Sequence, residues 1–268
     1  MVAIAHIIAI SLYVGAAVLA AAPFARPVKS PVRAVLAVLG AGILTHLAAL
    51  IMLAVRSGQP PLTGLGPALS CAGLAIALML FVVEVITHDA TLTLVAAPFA
   101  ALPTTIASLI GFTPILEPHG TAGAWLMAHI ALSFAGIAAF ATAAAAGAMY
   151  LVEHHELKSR RFGAILRAFP PLQTLDRVNH IAVLAGWIAL TVGVVLAVGY
   201  SLTYREFDAP KVAWALASWI GVGVVAGGRV LAGWQACRAA RISGAAFVVV
   251  VSLYVVVRLA GTRTGWFL

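Results

Sequence analysis

Polar residues in this chain are gathered into short breaks, and the stretches between them are apolar on every face. Eight apolar stretches stand out, at roughly 2–24, 33–55, 67–87, 92–112, 126–152, 180–203, 211–233 and 242–262, each close to the length of about 20 residues that an α-helix needs to cross a bilayer. None alternates apolar with polar positions, so strands of a membrane β-barrel are excluded. The breaks carry turn formers and charge, at Arg26 to Arg33, Ser57 to Gly66, Thr113 to Gly120, Glu153 to Arg177 and Tyr204 to Pro210. The pattern predicts an all-α integral membrane protein, an eight-transmembrane-helix bundle forming a single polytopic domain over 1–268. The first stretch is read as a retained helix. No basic residue precedes its apolar run, which is longer than the core of a signal peptide.

Composition sharpens the solvent question. Of 268 residues, 63% are hydrophobic and 9% charged, with a mean hydropathy of +1.09. A soluble domain carries about 25% charged residues, so lipid must solvate much of this surface. The net charge of +8 is unevenly placed. The breaks after the first, fifth and seventh stretches hold 11 of the 16 lysines and arginines, Arg26, Lys29, Arg33, Lys158, Arg160, Arg161, Arg167, Arg177, Arg229, Arg238 and Arg241. Arg56, Arg205, Lys211, Arg258 and Arg263 fall on the other side. The positive-inside bias then gives an N-out/C-out topology. Contact with anionic lipid accounts for the charge, and no nucleic acid is expected as a partner. Cys71 and Cys237 fall on opposite sides of the membrane, which excludes a disulfide between them.

No nucleotide-binding, kinase or zinc-hydrolase signature is present, and no acid–base pair suggests enzymatic turnover. The alanine run from Ala138 to Ala148 reads as a surface for close helix packing. Asp176, near the start of the sixth stretch, reads as a helix cap that Asn could replace.

Histidine is the unusual residue: there are eight, as many as all Asp and Glu together. His6 falls in the outer half of the first helix and His46 near the middle of the second. His88 ends the third, His119 lies in the outer break before the fifth, and His129 sits a turn inside it. His154 and His155 lie in the basic break, and His180 opens the sixth helix. His154 and His155 read as solvated, and His88 as an interfacial residue. A lone intramembrane imidazole such as His46 is equally consistent with a helix-to-helix hydrogen bond and with a functional role. Neutral imidazole is also an axial ligand for haem iron, and His129 with Trp125 one turn before it is the first candidate. His46 and Glu84 are the features that would suit a small-solute transporter.

From Trp125 onward a series of short motifs occurs in order. They are Trp125-Leu126-Met127-Ala128-His129, then Tyr150-Leu151 and Leu157-Lys158, then Pro170 to Asp176, and Leu190-Thr191-Val192-Gly193. Phe207 to Lys211 follows, with Trp214 and Trp219, then Arg229 to Trp234, and Gly244 to Phe247. Upstream, His46, Arg56 and Gly58 to Pro61 form a looser run. This order resembles the haem-handling cytochrome c assembly family of the CcsA, HemX and YpjD type, and is most similar to its shorter HemX and YpjD branch. The chain departs from the longer members. No tryptophan stands between Tyr204 and Asp208, Val212 stands where they have Glu, and Gly261 to Thr264 lacks their second outer histidine.

The resemblance implies a haem cofactor with His129 as iron ligand. His119 or His6 would stand on the other face of the ring, and His46 and His180 would mark a deeper or inner position. Trp125 and Asp208 belong to the motifs of that site, and Arg56, Arg205, Lys211 and Arg263 are the implied partners of the propionates. It also implies a multi-pass protein of a bacterial-type inner membrane, with lipid and cytochrome c assembly or haem-synthesis proteins as partners. The alternative is a non-catalytic scaffold that has lost haem ligands.

Overall fold

The computed structural model describes residues 1–25, 31–62, 64–113, 120–160, 163, 166, 168–204 and 209–264, without the side chains of Lys211, Val255 and residues 257–264. All regular structure among them is helical. The elements are α1 (Val2–Ala20), a single turn α2 (Ala22–Ala25), α3 (Val32–Ser57), α4 (Leu65–Thr87), α5 (Leu92–Ile110), α6 (Gly120–Lys158), α7 (Leu172–Tyr204), α8 (Ala209–Val230) and α9 (Ala236–Thr264). Eight helices are long and apolar enough to cross a membrane, with α1 and α2 counting as one crossing. The chain is a multi-pass membrane protein built as an eight-helix bundle.

The helices close two rings of four. α1 packs on α3 and α5, and α4 packs on α3 and α5. α6 packs on α7 and α9, and α8 packs on α7 and α9. α6 also lies against α4 and α5, so it belongs to one ring and abuts the other. Phe99 of α5 and Phe140 of α6 each set a ring edge-on to Phe247 of α9, at 5.7 and 5.8 Å between centroids. The alanine run explains why α6 takes the central position. Ala138, Ala139, Ala141 and Ala143 to Ala146 are all buried, because methyl side chains let several neighbours approach one backbone. Lipid then solvates the outward faces, where Ile4, Leu44, Val55, Ile86, Leu109 and Val195 are exposed.

Several helix limits differ from the sequence expectation. α6 has 39 residues, about 58 Å at 1.5 Å per residue, and outruns a hydrocarbon layer of about 30 Å. Glu153, His154 and His155 are therefore on its last two turns and not in a loop. α7 begins at Leu172, two turns earlier than the apolar stretch predicts. The Pro171 carbonyl accepts from the Thr174 and Leu175 amides at 2.8 and 3.2 Å, and Leu175 and Val178 bury a face of the added turns. His180 consequently sits on the third turn and does not open the helix. Asp176 lies inside the helix, past the position where a cap can act.

Candidate functional site

His129 is held at the seam between α6 and α7. Its Nδ1 is 2.8 Å from the carbonyl oxygen of Gly193 on α7. A carbonyl only accepts, so Nδ1 carries the proton, and in the neutral form of the ring the lone pair is on Nε2. The close approach depends on Gly193, where a Cβ would come within 3.1 Å of Ser133 Oγ. One turn away, Trp125 Nε1 donates to the Leu196 carbonyl at 3.0 Å, and its ring packs edge-on to Tyr200 and over Gly199. His129 is half-buried. A backbone acceptor that fixes one imidazole nitrogen and frees the other is the usual support of a metal-ligating histidine.

A second polar centre joins α1, α3 and α4. His6, Tyr13, His46 and Ser70 have no exposed surface. His6 Nδ1 lies 2.9 Å from the Val2 carbonyl, and so donates to it. His6 Nε2, 2.8 Å from Ser70 Oγ, must then accept the serine proton. Ser70 has no second proton, so it accepts from His46 Nε2 at 2.8 Å, and His46 Nδ1 accepts from Tyr13 at 3.0 Å. The chain is complete and head-to-tail with both imidazoles neutral. His6 also stacks on Phe112 at 4.1 Å. Both nitrogens of His46 are committed, and so are both of His6, which leaves neither ring a lone pair for iron in this arrangement.

A third centre fastens the second ring at its basic end. Arg229 of α8 pairs with Asp176 of α7 at 2.6 Å and donates to Asn179 Oδ1 at 2.7 Å. Asn179 Nδ2 donates to the Ala143 carbonyl at 2.7 Å and to Ser243 at 2.9 Å. Asp176 thus anchors a cation from another helix, which replaces the capping role expected from the sequence. His180 is half-buried beside this network.

His119, Arg205 and Asp208 lie outside the described residues, as do the side chains of Lys211 and Arg263. Arg56 is exposed on the last turn of α3. An apolar cleft of about 710 Å³ opens between α3, α4 and α6, lined by Leu50, Ala54, Leu74, Ala131 and Phe134 with the Gly58–Leu62 segment. Ala131 and Phe134 are about 200° and 140° around α6 from His129, so the cleft and the imidazole are on different sides of the helix. Among the described residues no three His, Cys, Asp or Glu side chains converge to hold a metal ion. A haem iron needs no such cluster, since the macrocycle supplies four of its bonds and one or two axial ligands suffice.

The family described as "Cytochrome C assembly protein" matches residues 4–263. The chain belongs to that family. Cytochrome c biogenesis protein CcsA of Guillardia theta is 25% identical over 253 residues, which cover 83% of this chain and 82% of the relative. CcsA of Trichormus variabilis is 31% identical over 102 residues, 35% of this chain and 29% of its own length. CcsA of Prochlorococcus marinus is 29% identical over 106 residues, 37% and 33% of the two lengths.

In this member of the cytochrome c assembly family, two motifs 64 residues apart meet in space: the Trp125–His129 motif and Leu190–Gly193. A third joins them, as Trp219 Nε1 donates to Thr191 Oγ1 at 2.9 Å and stacks with Trp187. Sequence reasoning missed the His6–Ser70–His46–Tyr13 centre. Its signal was present, because His6 and Tyr13 are seven residues apart on the stripe of α1 that also buries Ala9, Ala16 and Ala20.

Proposed function

We propose that this chain is a membrane protein of cytochrome c biogenesis that handles haem, with His129 as an iron ligand near the bundle end opposite the basic one. The charge split supports a reading in which that end faces away from the cytoplasm of a bacterial-type inner membrane. The observation that supports this reading is the 2.8 Å hydrogen bond from His129 Nδ1–H to Gly193, which puts the lone pair of the neutral ring on Nε2 and fixes the ring's orientation. The residues fit a haem through this donor. Bound haem would supply an iron centre and two carboxylates.

The chain's own groups would then divide the work. His129 Nε2 would bind iron, and Gly193 would hold the ring's tautomer and angle. Trp125, pinned to Leu196, would offer an aromatic wall one turn away. Arg56 is an exposed guanidinium at the same end of the bundle that suits a propionate. His119, Asp208, Lys211 and Arg263 remain proposed members of the site from their place in the sequence.

The test is the visible spectrum of purified protein after haem loading. Wild type is expected to show a Soret band that shifts on reduction. His129→Ala is expected to lose it at unchanged protein level, with added imidazole restoring part. If the Ala variant keeps the wild-type spectrum, His129 is not the ligand. If neither protein takes up haem, the scaffold reading replaces this one.

A further inference from the structure

A second concave site lies at the basic end, between the last turns of α6 and the first turns of α9. It has a volume of about 330 Å³ and is lined by Leu151, His154, His155, Lys158, Cys237 and Arg241. Two cations and two imidazoles face it, and among the described residues no carboxylate lines it. Glu153, one residue before His154, is buried instead of exposed to this cleft. His154 is held in place by stacking on Tyr150, with centroids 5.9 Å apart and planes 10° from parallel. The neighbouring cation, Arg238, lies over the Trp234 ring at 4.6 Å.

Exposed apolar side chains follow the cleft on both helices. From His155, the exposed face of α6 runs through Val152 to Ala148 at helical spacing. From Arg241, the exposed face of α9 runs through Ala245 to Val248. Gly244, one residue before Ala245, has open space where a Cβ would project. Exposed apolar side chains on both helices therefore lie on the turns next to the cationic pocket, at the depth where hydrocarbon gives way to headgroups.

We infer that this cleft binds one anionic phospholipid, its phosphodiester held by Lys158, Arg241 and the two imidazoles and an acyl chain lying along Ala148, Val152, Ala245 and Val248. Lysine and arginine at this depth attract anionic headgroups. The exposed apolar side chains beside the pocket are what distinguish a lipid from a free anion, because a soluble phosphate would leave them unused. A zwitterionic lipid brings its own cation and meets the cleft with less net attraction.

The experiment titrates delipidated protein in detergent with short-chain phosphatidylglycerol and counts bound lipid by native mass spectrometry. One tight site is expected for phosphatidylglycerol and none of comparable affinity for phosphatidylcholine. The double variant Lys158→Gln/Arg241→Gln should bind about 30-fold more weakly, at about 1 kcal/mol for each cation removed. Arg33→Gln, a basic-end change outside the cleft, should bind like wild type. Equal binding of the two lipids, or wild-type affinity in the double variant, overturns the site. Competition by inorganic phosphate at the same affinity would make the ligand a free anion and overturn the lipid assignment.

Discussion

Arg229 carries a full charge into a place where its side chain is 6% exposed, and the Asp176 side chain that meets it is 34% exposed. Removing one partner of a buried pair leaves the other charge without compensation. The partial exposure of Asp176 and the bond to Asn179 soften that loss. Asp176→Asn is expected to cost about 2 kcal/mol, read as a lower unfolding temperature in detergent. Asp176→Asn/Arg229→Gln should recover part of it, because the unpaired charge is gone. Additive losses in the double variant would show that the two side chains do not act as a pair. Ser70 is the other residue on which much converges, as donor to His6 and acceptor from His46. Ser70→Ala strands one acceptor and one donor in the interior, and should cost about 2–4 kcal/mol. Ser70→Thr keeps the hydroxyl and should retain more of the stability than Ala. Equal unfolding temperatures for wild type and Ser70→Ala would mean that the chain from Tyr13 to His6 is not formed.

At the scale of the element, eight apolar stretches became eight crossing helices, because a helix in lipid must satisfy its own backbone and the sequence states that requirement directly. The ends of the helices were less legible. Hydropathy finds where hydrocarbon stops, whereas α6 continues through Glu153 to Lys158 and α7 starts at Leu172 with polar residues already on it. Charged residues outside the hydrocarbon are good helix formers, so charge marks a depth and not a terminus. His129 was legible as a residue, and Gly193 as part of a motif, but their meeting depends on the register of α6 against α7. The same holds for His6 on α1, His46 on α3 and Ser70 on α4. Each looked solitary, since the chain does not encode which turn of one helix faces which turn of another except through packing. The pairing of Arg229 with Asp176 and Asn179 escaped notice for that reason too.

For the whole molecule, the two rings differ in what fastens them. The first is centred on neutral imidazoles and hydroxyls, the second on an ion pair and an amide near its basic end. The bonds of each polar centre are made within its own ring, and alanine and phenylalanine are prominent on the faces that meet along α6. Such a seam asks nothing of the covalent link between α5 and α6. The chain should therefore be divisible there: residues 1–113 and 114–268, produced as two polypeptides in one cell, are expected to find each other in the bilayer and co-purify. Phe247→Ala, which empties the aromatic contact between the rings, should reduce the yield of the pair more than the level of either piece. Pieces that accumulate but never co-purify would show that the seam holds only when the chain is continuous. A protein built this way behaves as two modules under one reading frame, so either half could be exchanged by gene fission or fusion without unmaking the polar centre of the other.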